Sequence, residues 1–207
     1  MNNVDDVTAF VLAGGKSTRM GRDKAFLEFK GRILLARALE LAAGVADDVR
    51  IVGGPRKFAA FGRVVEDIYR ERGPLGGIHA ALMSSSTDLN LMLAVDLPFV
   101  EPDFLKYLVS AARDAKAVVT VPRACDGLQP LCAVYRLGFA EVAEQSLAQG
   151  KNKIDALFAN VETRIVEADE LSHAGFSGQM FRNLNRPEEF EKAAHIVNEE
   201  LRLKTES

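Results

Sequence analysis

The sequence has little cysteine, and its two cysteines form no recognisable pattern. Cys125 and Cys132 are the only ones in 207 residues. A disulfide-stabilised fold needs more cysteines in a shorter chain, and a structural zinc site needs ligands at closer spacing. We therefore expect two free thiols in a reducing compartment.

The sequence also lacks the long apolar runs of membrane proteins. No stretch approaches the ~20 apolar residues that a transmembrane helix needs. The first ten residues, MNNVDDVTAF, are polar and acidic, whereas a signal peptide begins with basic residues followed by an apolar segment. We predict a cytoplasmic protein that makes no membrane contact.

A strong positive charge is missing as well. The formal net charge is −3, so the chain as a whole does not have the charge of a nucleic-acid-binding protein. The three histidines, His79, His173 and His195, are far apart and match neither a catalytic triad nor a metal-binding spacing. We interpret them as surface or packing residues.

What the sequence does contain is an alternation of short apolar runs and longer helical patterns. The predicted strands are 7–13, 48–54, 63–67, 89–96, 117–122, 130–135, 161–166 and 180–184. The predicted helices are 33–44, 74–86, 102–113, 138–149, a short one near 154 and a last one from 187. This alternation predicts an α/β fold, with a mostly parallel sheet covered by helices on both faces. No repeat or flexible linker divides the chain, so we expect a single domain.

The loop after the first predicted strand has the composition of an anion site. The segment LAGGKSTRMGRDK, residues 12–24, has a pair of adjacent glycines near its start and contains four basic residues. It does not match the P-loop, because the required first glycine falls on Phe10, nor the dinucleotide-binding pattern G-x-G-x-x-G. Glycines nevertheless let a phosphate approach the backbone, and lysine and arginine add charge-assisted hydrogen bonds. A phosphate-binding loop is therefore favoured over a solvated surface loop.

Two carboxylates follow other predicted strands. Asp96 ends the apolar run LMLAVD, and Asp67 is the last residue of the short strand 63–67. In parallel sheets, ligands bind beyond the carboxyl ends of the strands. Because Mg²⁺ takes only one or two protein carboxylates when phosphates and water complete its shell, Asp96 is a candidate ligand. A helix-capping or turn role is the structural alternative for Asp96, and a solvated loop position is the alternative for Asp67.

Taken together, these segments resemble a known family. The N-terminal stretch LAGGKSTRMGRDKAFLEFKGRILL is similar to the signature of nucleotidyltransferases with a glycosyltransferase-A-like fold, and within them the chain resembles the molybdenum cofactor guanylyltransferases. The supporting segments are EDIYRERGPLGGI (66–78), AVDLPFV (94–100), QPLCAVY (129–135) and FRNLNRPEEF (181–190). The resemblance extends from about residue 10 to about residue 190.

The resemblance implies a fold and a reaction. The fold would be the three-layer, Rossmann-like α/β/α fold of nucleotide-diphospho-sugar transferases. The single domain 1–207 would have a nucleotide-binding part at about 6–122 and an acceptor- or cofactor-binding part at about 123–200. The reaction would transfer GMP from Mg·GTP to the terminal phosphate of molybdopterin carrying molybdenum, releasing pyrophosphate. Molybdenum-insertion proteins and recipient molybdoenzymes would be its protein partners.

The resemblance also implies residue roles. Lys24, with Arg19 as a helper, would neutralise the polyphosphate, and Asp96 would hold Mg²⁺; these three are the predicted catalytic residues. The predicted nucleotide-binding residues are Leu12, Ala13, Gly14, Gly15, Lys24, Gly53, Asp67 and Asp96. The predicted acceptor-binding residues are Gln129, Asn183 and Asn185, of which the two asparagines could also cap the last helix.

One position departs from the family pattern. After the second strand the family often has an asparagine that helps to read the base, whereas this chain has Gly53. A glycine offers no side-chain hydrogen bond, so selection of guanine over cytosine must depend on other groups. A cytidylyltransferase of the same cofactor is therefore an alternative. Two further alternatives, independent of Gly53, are a sugar-1-phosphate nucleotidyltransferase and a non-catalytic cofactor carrier. The presence of both Lys24 and Asp96 argues against the carrier.

Overall fold

In the computed structural model of this protein, the described residues are 6–14, 23–124 and 127–182. Their strands are β1 Val7–Leu12, β2 Glu28–Phe29, β3 Arg32–Ile33, β4 Asp48–Val52, β5 Arg63–Val65, β6 Leu89–Ala94, β7 Val119–Ala124, β8 Gly127–Leu128, β9 Cys132–Arg136 and β10 Thr163–Val166. Their α-helices are α1 Leu34–Ala43, α2 Pro55–Phe58, α3 Pro74–Ser84, α4 Pro102–Asp114, α5 Phe139–Ala148 and α6 Ala168–His173. Short 3₁₀ helices cover Lys24–Phe26, Asp155–Asn160 and Gly178–Phe181.

The main sheet has the order β10-β7-β9-β6-β1-β4-β5 within the described residues, and β8 pairs with β7. The pairings β1–β4, β1–β6, β4–β5 and β7–β10 are parallel. Only β9 runs against its neighbours in this order, β6 and β7. The prediction of a mostly parallel sheet is therefore confirmed.

Helices cover both faces of this sheet, because the strand side chains alternate between two apolar cores. In β1, Val7, Ala9 and Val11 belong to the core that α1 and α4 cover, whereas Phe10 belongs to the core under α3 and α5. All four of these β1 side chains are buried. The central strands are thus apolar on both faces, as in other parallel sheets, and the α/β class predicted from the sequence is confirmed.

Two of the predicted strands differ from the structure. The strand predicted to stop at Pro122 continues to Ala124. It can do so because Pro122 pairs with Val166 of β10, and Arg123 and Ala124 pair with β8 after the pairing with β9 has ended at Thr120. The Pro122 carbonyl also accepts a hydrogen bond from the Gln129 N–H at 2.9 Å.

The strand predicted at 180–184 is also wrong where the structure describes it. Residues Gly178–Phe181 form a 3₁₀ helix, and the Ser177 side chain caps it by accepting a hydrogen bond from the Gln179 N–H at 3.2 Å. Met180 and Phe181 are buried in the core, which accounts for their apolar side chains. The Phe181 ring packs edge-on against Phe104, with ring centroids 5.3 Å apart. The predicted helix from residue 187 lies outside the described residues.

In the described part of the chain, no helix is long and apolar enough to span a membrane.

Candidate active site

The carboxyl ends of six described strands meet at one edge of the sheet. β1, β4, β5, β6, β7 and β10 all run in the same direction, because β9 is antiparallel to both β6 and β7. The loops after these strands carry the sequence-predicted residues Gly14, Lys24, Gly53, Asp67 and Asp96. The fold therefore brings residues that are far apart in sequence to one crevice.

Lys24 and Asp96 form the central charged pair of this crevice. The Lys24 ammonium donates to Asp96 Oδ2 at 3.1 Å, across 72 residues of sequence. The side chains keep 24% and 23% of their exposure, so the pair is open to a ligand. A cation and a carboxylate that meet beside a glycine-containing strand end are suited to a phosphate and its metal ion.

The turn that carries Lys24 is held from two sides. The Asp23 side chain accepts a hydrogen bond from the Ala25 N–H at 3.2 Å and forms an ion pair with Lys57 of α2 at 2.9 Å. The Phe26 ring stacks on Phe58 of α2, with ring centroids 5.8 Å apart. The position of Lys24 thus depends on the helix that follows β4.

Asp96 is placed by the backbone at the end of β6. The Ala94 N–H donates to the Leu131 carbonyl at 2.8 Å, and the Val95 N–H donates to the Leu12 carbonyl at 3.2 Å. These bonds keep the chain attached to β9 and β1 one residue before Asp96. The carboxylate therefore emerges beside the end of β1, where the anion loop begins.

The glycines of the crevice allow the backbones of β1 and β4 to approach closely. A Cβ at Gly14 would lie 3.5 Å from the Gly53 Cα. The N–H groups of Ala13 and Gly14 both donate to the Val52 carbonyl at 3.0 Å. The N–H groups of Ala13 and Gly14 are therefore already used within the protein.

The tertiary structure explains the glycine at position 53. A Cβ at Gly53 would lie 2.7 and 2.8 Å from carbon atoms of the Phe58 ring, well inside van der Waals contact. Phe58 is 1% exposed and fills the space that a side chain at position 53 would enter. An asparagine there is incompatible with Phe58 in this position.

Asp67 has a different environment from Asp96. It is half-buried, and its Oδ1 lies 3.5 Å from where a Cβ at Gly77 of α3 would stand. Burial raises the pKa of the Asp67 carboxyl group above its ordinary value, and the negative charge of Glu66 raises it further. A poorly hydrated carboxylate of this kind is a strong hydrogen-bond acceptor for a ligand.

The other end of the edge contains an open cavity of about 420 Å³, between the end of β7 and α6. Arg123 and Glu167 form an ion pair at 2.9 Å there. Nearby, the Gln129 side chain donates to the Gly127 carbonyl at 3.2 Å. The cavity is lined by Arg123, Ala124, Ala168, Leu171, Ser172, Gly175, Phe176, Ser177 and Gly178.

Several predicted residues lie outside the described residues. They are Gly15, Arg19, Asn183, Asn185 and Cys125. Cys132, in contrast, is completely buried, and burial raises the pKa of its thiol to about 12, so it is inert packing. The structure also places Phe58 and Arg123 at this edge of the sheet, although neither was predicted as a site residue. The sequence indicated only that Phe58 follows β4 and that Arg123 lies at the end of β7.

Known proteins resemble this chain over nearly its full length. The sequence profile of the MobA-like NTP transferase domain matches residues 9–164. The chain belongs to this family. The molybdenum cofactor guanylyltransferase of Desulfosudis oleivorans is 36% identical over 94% of this chain and 97% of its own length. The enzyme of the same name from Syntrophotalea carbinolica is 33% identical over 89% of each chain.

Solved structures agree with this family membership. The molybdopterin-guanine dinucleotide biosynthesis protein A of Archaeoglobus fulgidus superposes with a TM-score of 0.80 at 25% identity, covering 93% of this chain and 99% of its own. A CMP:2-keto-3-deoxy-manno-octonic acid synthetase superposes with a TM-score of 0.71 at 13% identity, covering 95% of this chain and 100% of its own, and so shares the fold alone. The fold is that of the nucleotide-diphospho-sugar transferases, and the chain is a nucleotidyltransferase.

Proposed function

We propose that this MobA-like transferase moves GMP from Mg·GTP to the terminal phosphate of molybdopterin. The acceptor phosphate oxygen forms a bond to the α-phosphorus, the bond from that phosphorus to the β-phosphate oxygen breaks, and pyrophosphate leaves. The observation that carries the proposal is the Lys24–Asp96 pair at the strand edge, in a chain that matches enzymes named molybdenum cofactor guanylyltransferase over nearly their whole length.

The chemistry needs positive charge more than it needs a base. The attacking phosphate is already ionised, whereas the reactants repel one another and the leaving group gains charge. Preorganised cations reduce both problems. Lys24 supplies one in the described crevice, and we propose Arg19 as a second. The absence of a Ser-His-Asp set from the sequence is consistent with this reaction.

The donor set at the crevice fits Mg²⁺ brought in by the nucleotide. The described residues contain no cluster of three or more His, Cys, Asp or Glu side chains that could hold a metal alone. Asp96 is a single accessible carboxylate, which is enough for Mg²⁺ when phosphates and water supply the other ligands. The ion would neutralise phosphate charge, while Lys24, released from Asp96, would contact the polyphosphate.

The other residues are assigned by their position along the edge. We propose that Leu12, Ala13, Gly14, Gly15 and Gly53 form the nucleotide cradle. With no side chain at position 53, the Asp67 carboxylate is the described group best suited to accept hydrogen bonds from the nucleoside.

We place the acceptor at the β7–β10 end of the same edge. Gln129, together with Asn183 and Asn185, would contact molybdopterin, and the cavity beside Arg123 has room and positive charge for an anionic ligand. This assigns the nucleotide to the part of the domain at about 6–122 and the acceptor to about 123–200. Molybdenum-insertion proteins and recipient molybdoenzymes are the proposed partners.

One experiment separates the candidate reactions. The full chain is incubated with molybdenum cofactor, Mg²⁺ and each of the four nucleoside triphosphates in turn, and dinucleotide product and pyrophosphate are measured. Product from GTP alone supports the proposal. Product from CTP alone replaces it with cytidylyl transfer, and tight cofactor binding without product from any triphosphate indicates a carrier.

A further inference from the structure

His79 is a buried polar side chain that the proposed reaction does not use. It lies on α3 and is 1% exposed. Within the described residues, neither of its ring nitrogens has a hydrogen-bond partner. Buried polar atoms are almost always paired, so an unpaired imidazole requires an explanation.

The ring of His79 contacts the loop that carries Asp67. The Tyr69 ring meets it edge-on, with centroids 5.3 Å apart and an angle of 70° between the planes. The same loop lies on the first turns of α3 at two other points: the Tyr69 carbonyl oxygen is 2.8 Å from where a Cβ at Gly76 would stand, and Asp67 Oδ1 is 3.5 Å from the corresponding point at Gly77. Of these three contacts, only the one at His79 is made by a side chain of α3.

The charges around His79 favour its neutral form. Burial lowers the pKa of the imidazole below its ordinary value, and the Glu144 carboxylate of α5 only partly opposes this shift. The Tyr69 ring faces the imidazole from the loop side. A second proton on His79 would therefore be buried without an acceptor.

We propose that His79 is a positioning residue for nucleotide binding: its neutral ring holds Tyr69, and through Tyr69 it holds Asp67 beside the first turns of α3. This inference rests on the proposed role of Asp67 in the nucleotide pocket and deepens it. Protonation or removal of the imidazole releases the loop and weakens nucleotide binding. Lys24 and Asp96 belong to other loops, so turnover at saturating nucleotide is retained.

The test measures Mg·GTP affinity by calorimetry on the full chain. For His79→Ala we expect about a tenfold weaker Kd, within the usual range for coupled sites, and a kcat within about twofold of wild type. His79→Phe keeps an aromatic ring against Tyr69, so its affinity at neutral pH stays near wild type. His173→Ala is the matched control, because this exposed histidine lies on α6 and is bonded there to the Asp169 carbonyl.

Two further readouts distinguish positioning from general stability. In an Asp67→Asn background, His79→Ala should cause no additional loss of affinity, since the two residues act in series. Because the pKa of His79 lies below the ordinary histidine value of about 6.5, wild-type affinity should match that of His79→Phe at pH 6.5 and fall more steeply only at lower pH, where the imidazole becomes protonated. Comparing the two proteins removes the titration of GTP and of Asp67, which is common to both.

Failure of this inference can be distinguished from failure of the proposed function. Unchanged GTP affinity in a folded His79→Ala protein, an equal loss in the Asp67→Asn background, or identical pH profiles for wild type and His79→Phe would overturn the inference. If His79→Ala does not fold, as seen by circular dichroism, Tyr69→Leu takes its place in the same measurements. A wild-type chain that binds no GTP would instead contradict the proposed function.

Discussion

The two ends of the carboxyl edge are built differently. At the β1–β4–β5 end the glycines leave almost no space: Gly53 touches the Phe58 ring, Gly14 lies against Gly53, and Gly77 lies against Asp67. At the β7–β10 end an open cavity of about 420 Å³ contains the Arg123–Glu167 ion pair.

This difference indicates what each end can tolerate. At Gly53 a single added carbon must displace the Phe58 ring, because folded interiors have crystal-like packing density. At the open end, a larger side chain would extend into solvent, so we expect a change of charge to affect ligand binding more than a change of size does. Substitutions that change size at one end and charge at the other therefore test the comparison.

The largest effect is expected at the charged centre between the two ends. Asp96→Asn removes the carboxylate proposed to bind Mg²⁺, and turnover with GTP should fall by roughly 10²–10³-fold, as for the loss of one charge-stabilising group in other enzymes. The control is Asp103→Asn on α4, which removes a carboxylate of an exposed ion pair with Lys106 and should retain activity. Full turnover in Asp96→Asn would disprove the metal assignment.

Lys24→Ala should have the next largest effect. It removes a charged hydrogen-bond donor worth about 1.5–3 kcal/mol, so kcat/KM for GTP should fall by roughly 10–100-fold, with weaker triphosphate binding. Lys106→Ala is the matched control on an exposed ion pair. Steady-state kinetics at varied GTP measures both, and equal kcat/KM values for the two variants would contradict a role for Lys24.

Gly53→Ala tests the close packing directly. Its Cβ would overlap the Phe58 ring, and overpacking of this kind costs about 1–3 kcal/mol in the free energy of unfolding. Gly54→Ala is the matched control: it adds the same methyl group at the next residue, where nothing lies within 4 Å of a Cβ. Urea denaturation should show a large loss for Gly53→Ala and little for Gly54→Ala. Adding Phe58→Leu to Gly53→Ala should cost less than the sum of the single changes.

At the open end, Arg123→Ala should affect the acceptor and leave GTP unaffected. Arg123 is half exposed and already paired with Glu167, so we expect only about a 2- to 5-fold rise in KM for molybdopterin, the size of a solvent-screened charge contact. Lys106→Ala, at an exposed ion pair away from the strand edge, serves as the control. A selective rise in KM for GTP would place the nucleotide, and not the acceptor, at this end.

The smallest expected effect is a gain in stability, on substitution of Asp67. The pKa of Asp67 is raised in the folded protein, so its ionised form destabilises the fold above that pKa. This penalty disappears as the pH falls towards the unfolded value of about 3.9. Asp67→Asn should therefore raise Tm slightly at pH 7, with the gain shrinking in acid, although it weakens GTP binding. Asp48→Asn should lower Tm, because hydrogen bonding from Arg50 lowers the pKa of Asp48.

Much of the fold could be predicted from the sequence. The strands β1, β4 and β6 were predicted from short segments rich in β-branched and apolar residues, and Pro102 correctly marked the first turn of α4. The short elements β2, β3, α2 and α6 were not predicted, because two to six residues contain too little periodicity. The apolar pair Met180–Phe181 was misinterpreted as a strand, because burial selects apolar residues in helices and strands alike.

The sequence by itself determined the chemistry available at the crevice: a glycine-rich loop with lysine and arginine, and carboxylates directly after strands. Local pattern is enough for this, because parallel strands place their carboxyl ends at one edge. Only the tertiary structure decided that Lys24 contacts Asp96, that Phe58 requires glycine at position 53, and that β9 runs antiparallel between β6 and β7. Each of these depends on contacts between segments distant along the chain, which close packing in three dimensions selects and local periodicity does not encode.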